Sequence, residues 1–306
     1  MAIVPRLTVG TLLAVCLLTA ACGTPSAKST TTSTKPAAPP PLYYVSLGDS
    51  YAAGYQPTGP RSGHTDTNGF AYQVVKLAAA KGWDFKLENF GCGGATTTSI
   101  LHSTGCAQLG PEAPTYPDQT QAAAAEAFVR THRGNIGLIT VSIGGNDVTS
   151  CVSATSPTTC VIAAVKGIST NLTTLLKGLR AAAGNSVPIV GTTYPDVILG
   201  LYISKSTSAR SLATLSVLAF KSFINPTLLK TYKTYHASFV DVTAATGAYE
   251  SLKTTTTLAP YGKIPVAVAK VCELTFFCQY NDIHPRTQGY AIIAHLVVGT
   301  LPTRHG

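Results

Sequence analysis

Residues 43–54, Tyr-Tyr-Val-Ser-Leu-Gly-Asp-Ser-Tyr-Ala-Ala-Gly, carry the pattern that decides the fold. The run at 43–47 is short and mostly apolar, which predicts a strand, and Gly48 ends it. Asp49 and Ser50 then form a turn into small residues that suit a helix. A strand that passes straight into a helix is typical of a parallel sheet with helices on its faces.

The same alternation of strand and helix patterns continues along the chain. Periodicity predicts four more strands, at residues 85–90, 136–143, 188–192 and 238–242. It predicts helices at residues 69–81, 119–131, 161–183 and 206–223, and from His284-Pro285 to about residue 298. Strands that alternate with helices predict a parallel sheet covered on both faces, with the active site beyond the carboxyl ends of the strands.

Composition indicates a folded, exported protein. The chain has 306 residues and is 45% hydrophobic, which is enough for a full core, yet only 11% of it is charged. Soluble domains usually have roughly 25% charged residues. The 22 basic and 13 acidic residues give a net charge of +9. Because the basic residues form no run and no nucleic-acid-binding module is visible, we expect no nucleic acid partner.

The N-terminus has the pattern of an export signal. In residues 1–21, Arg6 precedes an apolar stretch at 7–18 that is too short for a membrane span. The segment ends in Leu-Thr-Ala-Ala before Cys22, which resembles the lipobox of bacterial lipoproteins and predicts lipidation of Cys22. An ordinary cleaved signal is the alternative. We expect a secreted or envelope-anchored, extracytoplasmic monomer, with the lipid anchor as its only membrane association.

The rest of the chain divides into a tether and one domain. Residues 22–41 are rich in Thr, Ser and Pro and cannot bury enough surface to fold, so they predict a tether. A single domain is expected over residues 42–306. No later run reaches the ~18 consecutive apolar residues of a membrane helix, which excludes a polytopic membrane protein.

Six cysteines remain after the one in the signal and Cys22 are set aside. An even number in an exported chain predicts disulfides rather than catalytic thiols, and no C-x-x-C spacing indicates zinc. The six fall into three close pairs along the sequence. Nearest-neighbour pairing predicts the bridges Cys92–Cys106, Cys151–Cys160 and Cys272–Cys278.

Four polar segments stand at the expected edge of the sheet. They are residues 48–54, residues 89–96 (Asn-Phe-Gly-Cys-Gly-Gly-Ala-Thr), residues 144–147 (Gly-Gly-Asn-Asp) and residues 281–285 (Asn-Asp-Ile-His-Pro). Each alone is explained by a turn, a closed loop or a helix start. Together they supply the groups for acyl transfer. Ser50 offers a nucleophile, His284 a base, and the Gly94 N–H and the Asn146 amide offer donors for an oxyanion.

These four segments resemble the SGNH (GDSL) hydrolases, and in particular the secreted lipases and esterases of actinomycetes. The resemblance extends over about residues 42–300. It implies a flavodoxin-like three-layer α/β/α sandwich with a central parallel sheet, and ester hydrolysis without a metal or cofactor. By position it makes Ser50 the nucleophile and first oxyanion donor, Gly94 and Asn146 the other donors, and His284 the base.

The last segment departs from the family pattern. The family has its aspartate three residues before the histidine, where this chain has Asn281, and Asp282 follows one residue later. Three arrangements stay open, with His284 oriented by the Asn281 carbonyl, by the Asn281 side chain, or by Asp282 after a local shift. We expect a Ser–His dyad oriented by Asn281, because the family geometry counts back three residues.

The sequence therefore predicts an esterase or lipase that acts on a small-molecule or lipid ester through an acyl-Ser50 intermediate. A carbohydrate deacetylase or acyltransferase would use the same residues. A non-catalytic envelope-binding lipoprotein is the alternative from another class, and the altered position 281 is its only support. The apolar stretch at residues 197–235 packs the core or forms a wall that binds the acyl chain.

Overall fold

The structure, a computed structural model, describes residues 41–304. The predicted signal at residues 1–21, the lipidation site Cys22 and the tether up to residue 40 lie outside the described residues. Nine strands are described: β1 Leu42–Gly48, β2 Tyr55–Gly59, β3 Ser62–Thr65, β4 Phe85–Asn89, β5 Ile136–Ser142, β6 Ile189–Thr192, β7 Ser238–Val240, β8 Thr255–Leu258 and β9 Gly262–Pro265.

Twelve α-helices accompany these strands in residues 41–304. They are α1 Ser50–Ala53, α2 Phe70–Ala79, α3 Ser99–His102, α4 Gln121–Thr131, α5 Gly145–Thr149, α6 Pro157–Ala183, α7 Thr207–Ala219, α8 Asn225–Thr234, α9 Val242–Ala245, α10 Val266–Leu274, α11 Phe277–Tyr280 and α12 Thr287–Gly299. Two 3₁₀ segments, Ser150–Ser153 and Val197–Ile203, and one π turn, Phe220–Ile224, complete the helical structure.

Five of the strands form a parallel sheet in the order β4-β1-β5-β6-β7, which confirms the predicted α/β fold. All seven residues of the central strand β5 are buried, as its continuous apolar sequence predicts. The other four strands form two antiparallel hairpins, β2–β3 and β8–β9, outside this sheet. All five predicted sheet strands are present within one or two residues of their predicted ends.

Helices cover both faces of the sheet, as a three-layer sandwich requires. On one face, α4, α6 and α8 bury their apolar sides against the sheet, and on the other α2 and α12 do so. A third apolar cluster joins the Val197–Ile203 segment to α10. Pro157–Ala183 and Thr207–Thr234 are long and apolar enough to cross a membrane by length and composition alone, yet both bury side chains in the first of these cores.

The helix predicted at residues 206–223 is longer than expected. After α7 the chain passes through the π turn and continues as α8 to Thr234. Pro226 does not stop it, because the proline lies in the first turn of α8, where a missing N–H is tolerated. The hairpin β8–β9 and helix α10 were not expected from the sequence.

The three predicted disulfides are confirmed as Cys92–Cys106, Cys151–Cys160 and Cys272–Cys278. They span 14, 9 and 6 residues, so each closes a local loop. The first constrains the segment after β4, the second ties a 3₁₀ segment to the first turn of α6, and the third joins α10 to α11 shortly before His284. All three therefore stiffen loops that carry polar residues at the carboxyl edge of the sheet.

The first prediction concerns the close approach of the Gly48 and Ser142 backbones. Gly48 has a φ of +142°, and a Cβ there would stand 1.9 Å from the carbonyl oxygen of Ser142. We expect Gly48→Ala to lower the free energy of unfolding by at least about 3 kcal/mol, measured by urea denaturation.

Gly134→Ala is the matched control. Gly134 has a φ of +96°, but a Cβ added to it would meet no heavy atom within 4 Å. This variant should cost only about 1 kcal/mol of backbone strain. Equal losses in the two variants would show that the contact with Ser142 is not what requires the glycine.

Candidate active site

Ser50 and His284 meet at the carboxyl edge of the sheet, 234 residues apart in sequence. Ser50 is the first residue of α1, separated from β1 by Asp49 alone, and is only 7% exposed. His284 lies in the loop between α11 and α12, with its Nε2 at 2.8 Å from Ser50 Oγ. This distance suits proton transfer between the hydroxyl and the imidazole.

Asp282, and not Asn281, contacts the imidazole. Oδ1 of Asp282 lies 2.6 Å from His284 Nδ1 and also accepts a hydrogen bond from the His284 backbone N–H at 2.9 Å. The second bond is an Asx turn, in which a carboxylate caps the amide two residues on. It brings the carboxylate of Asp282 onto the same side as the ring of His284.

The expectation that Asn281 orients His284 is therefore wrong. Asn281 adopts the left-handed conformation, with a φ of +55°, and ends α11 by donating its N–H to the Phe277 carbonyl. In the described residues no hydrogen bond joins Asn281 to His284. The left-handed residue turns the chain after the helix, so the residue that faces the imidazole is displaced by one position from the family spacing.

The charge of Asp282 fits this arrangement. Burial alone would raise its pKa, but the hydrogen bonds from His284 and its electrostatic attraction outweigh burial and hold the pKa below its usual range. The carboxylate therefore stays ionised at neutral pH and can balance an imidazolium.

The expected oxyanion donors lie on two neighbouring loops. Gly94 has a φ of +77° and open space around its α-carbon, and Asn146 is the second residue of α5. In residues 41–304, the backbone N–H groups of Ser50 and Gly94 have no hydrogen-bond partner within the protein. Asn146 donates one side-chain amide hydrogen to the Ala95 carbonyl at 2.8 Å, and its other amide hydrogen makes no hydrogen bond within these residues. Gly94 lines the cleft beside the Cys92–Cys106 loop, whereas Ser50 and Asn146 line a separate cavity.

Asp147 ties the loop that carries Asn146 to the loop that carries Gly94. Its carboxylate accepts hydrogen bonds from the backbone N–H of Thr97 at 3.0 Å and from the Thr97 hydroxyl at 2.6 Å. Asn171 on α6 also donates to the Thr97 hydroxyl, at 3.1 Å. The aspartate thus holds this loop in place.

A sequence model of the GDSL-like lipase/acylhydrolase family matches residues 46–292. The chain belongs to this family. The matched range contains Ser50 and His284, and every strand of the sheet except the start of β1 lies inside it. The family and its fold agree with the expectation from the sequence, and they support hydrolysis of esters as the chemistry of this GDSL hydrolase.

Solved structures resemble this GDSL hydrolase at low sequence identity. A lipase from a goat rumen metagenome is 14% identical, with a TM-score of 0.51 over 84% of this chain and 96% of its own. The extracellular lipase of Streptomyces rimosus is 17% identical, with a TM-score of 0.44 over 84% and 97%. An acetyl xylan esterase of Geobacillus stearothermophilus is 17% identical, with a TM-score of 0.47 over 86% and 97%. No curated protein sequence matches the chain.

Gln121 and Tyr51 hold the site of this GDSL hydrolase together, and the sequence alone did not single them out. Gln121, at the start of α4, accepts from the Gly48 N–H at 2.7 Å and donates to the Gly48 carbonyl at 3.0 Å. Tyr51 donates its hydroxyl to the Ile283 carbonyl at 2.6 Å. In the sequence, only the position of Tyr51 inside the Gly-Asp-Ser-Tyr segment indicates a role in the site. No sequence feature indicates a role for Gln121.

Asp49 stabilises the turn that carries Ser50. Its Oδ1 accepts from the Tyr51 N–H at 2.9 Å and its Oδ2 from the Tyr194 hydroxyl at 2.6 Å. Burial raises the pKa of this carboxyl to about 7, although the two hydrogen bonds act against the increase. Asp49 is therefore a helix cap and turn-former, as expected.

A cavity of about 150 Å³ opens beside Ser50, between α5, the first turns of α6, and α7. Side chains from the apolar stretch at 197–235 form one of its walls, including Val197, Ile198, Leu212 and Phe220. The stretch thus packs the core and lines this cavity. Within residues 41–304, no group of three or more His, Cys, Asp and Glu side chains could hold a metal ion.

The second prediction separates Asp282 from Asn281. Asp282→Ala should lower the turnover of a soluble short-chain ester by up to about 10⁴-fold, because the imidazole loses both its orienting group and its counter-charge. Asn281→Gly keeps the left-handed backbone and should retain most activity. Steady-state kinetics of folded variants measure both. A large loss in Asn281→Gly with full activity in Asp282→Ala would reverse the assignment.

The third prediction concerns stability against pH. The pKa of Asp49 and that of Asp196 are each raised by burial to about 7, above the ordinary value of 3.8. Between these values the folded state holds protons that the unfolded state releases. The two carboxyls therefore contribute a decrease in stability as the pH rises from about 4 to 7.

Asp49→Asn should remove its share of this decrease, up to about 4 kcal/mol, so its stability curve falls less steeply than that of the wild type. Urea denaturation across this pH range measures the two slopes. Asp196→Asn is the matched comparison, because its carboxyl is equally buried and shifted in the same direction. If the free energy of unfolding fell equally steeply with pH in the wild type and in Asp49→Asn, the raised pKa of Asp49 would be contradicted.

Proposed function

We propose that this chain hydrolyses carboxylic esters through an acyl-Ser50 intermediate. The hydrogen-bonded series from Ser50 through His284 to Asp282 is the observation that supports it, with separations of 2.8 and 2.6 Å. Nucleophile, base and orienting acid within hydrogen-bond reach are the arrangement that activates a serine hydroxyl.

The reaction begins when Ser50 Oγ attacks the ester carbonyl and gives its proton to His284 Nε2. Asp282 keeps a hydrogen on Nδ1, so that Nε2 is free to accept, and it stabilises the imidazolium that forms. The unpaired N–H groups of Ser50 and Gly94 and the free amide hydrogen of Asn146 stabilise the oxyanion. His284 then protonates the leaving alcohol, and water repeats the sequence on the acyl-enzyme.

The apolar cavity favours an ester with an apolar acyl group. Ser50 and Asn146 line the cavity, and the rest of its lining is mostly aliphatic and aromatic. An acyl chain placed there would have its carbonyl beside Ser50. Three disulfides within residues 41–304 support secretion, because such bridges persist in oxidising compartments.

The fourth prediction tests the nucleophile. A fluorophosphonate probe should form one adduct per chain, on Ser50, and Ser50→Ala should lose both the adduct and at least about 10³-fold of the ester turnover. Intact-mass and peptide mass spectrometry locate the adduct. Ser62→Ala is the control, because Ser62 is an exposed serine in the β2–β3 hairpin. This variant should form the adduct and hydrolyse the ester as the wild type does. Full hydrolysis by Ser50→Ala would refute the proposal.

A further inference from the structure

The exposed apolar side chains of this protein gather at one place. In residues 41–304, four large apolar side chains are exposed: Ile162, Leu215, Leu218 and Phe223, with exposed fractions of 54, 49, 53 and 45%. All four line the cavity that opens beside Ser50. We call these four residues the rim. Single exposed apolar residues need no explanation, but a contiguous group at a cavity mouth indicates a contact surface.

Three neighbouring elements build the rim. Ile162 lies in the second turn of α6, Leu215 and Leu218 lie on α7, and Phe223 lies in the π turn. The Cys151–Cys160 bridge fixes the first turn of α6 to the 3₁₀ segment before it, and Cys151 itself lines the cavity. The bridge therefore helps to hold the α6 part of the rim beside the cavity.

The stretch of sequence that contains the rim is basic. Residues 148–240, which contain the whole rim, carry eight Lys and Arg residues and a single acidic residue, Asp196. That aspartate is fully buried. The rest of the chain is nearly balanced, so this segment holds most of the net charge of +9. Lys166 lies one turn beyond Ile162 on α6 and is exposed, as are Lys205 and Arg210 near the start of α7.

We propose that the rim docks on an anionic lipid surface, with the surrounding lysines and arginines against the headgroups. Apolar side chains that enter the headgroup region and basic side chains that stay above it are the two components of interfacial binding. A second copy of this chain is a poorer occupant, because it would bring two positively charged faces together. In the docked position the cavity opens toward the lipid, and an ester could enter it without crossing water.

This inference does not require the proposed esterase mechanism, because binding to lipid is measurable without catalysis. The test uses the full chain with Ser50→Ala, so that no lipid is hydrolysed. It also carries Cys22→Ser, so that no acyl anchor contributes. Co-sedimentation is measured with vesicles of phosphatidylcholine alone and with vesicles that also contain phosphatidylglycerol. The protein should bind the mixed vesicles and bind the neutral ones far less.

The fifth prediction concerns variants of this inactive chain. Leu218→Asp with Phe223→Asp should weaken binding to the mixed vesicles at least about tenfold, because charged groups replace the inserted side chains. Lys166→Glu should weaken it at least about fivefold. Lys76→Glu is the matched control, since Lys76 is exposed on α2, on the opposite face of the sheet, and it should bind as the parent does.

Three results would overturn the proposal. The first is equal binding of the parent and the Leu218→Asp, Phe223→Asp variant, with thermal unfolding showing that both are folded. The second is a dimer of the parent, detected without lipid by sedimentation equilibrium, that Leu218→Asp dissociates, because the rim would then belong to a second copy. Loss of binding in Lys76→Glu equal to that in Lys166→Glu would also refute it, since any basic residue would then serve.

Discussion

The contact between the backbones of Gly48 and Ser142 is the constraint on which the site depends. It is possible only because residue 48 lacks a side chain, and it brings the ends of β1 and β5 together at the edge of the sheet. Asp49 then donates its N–H to the Ser142 carbonyl, and Gln121 bonds both polar groups of Gly48. Ser50 follows this fixed point by two residues, so its hydroxyl has little freedom of position.

The rest of the site is tied to this fixed point through Tyr51. Its hydroxyl binds the Ile283 carbonyl, one residue before His284, so the helix that carries the nucleophile also holds the loop that carries the base. Bonds between elements that are distant in sequence cost ordering entropy, but each of these is short and partly buried. The geometry between Ser50 and His284 is therefore set by two independent connections, one through the side chains and one through the backbone.

The sequence predicted the parallel sheet because strand patterns alternate with helical ones and the central strand β5 is a nearly continuous apolar run. It predicted the disulfides because the cysteines fall into close pairs. It did not predict Asp282 as the partner of His284, because the left-handed conformation of Asn281 is a local backbone choice that residue spacing does not encode. It also missed hairpin β8–β9 and the helix α10 that follows it, since the threonine-rich residues 254–257 have no apolar alternation. It missed the role of Gln121 because the partner of this side chain, Gly48, lies 73 residues away.

The π turn explains how one long helical segment serves both the core and the cavity. Leu228 and Tyr232 on α8 pack into the core, whereas Leu215 and Leu218 on α7 face the cavity mouth. An uninterrupted α-helix repeats its faces every 3.6 residues, so a change of face along it needs an extra residue. The π turn provides that residue, and it places Phe220 inside the cavity wall and Phe223 on its border. A single π turn redirects side chains without ending the helix, and such turns occur often at functional sites.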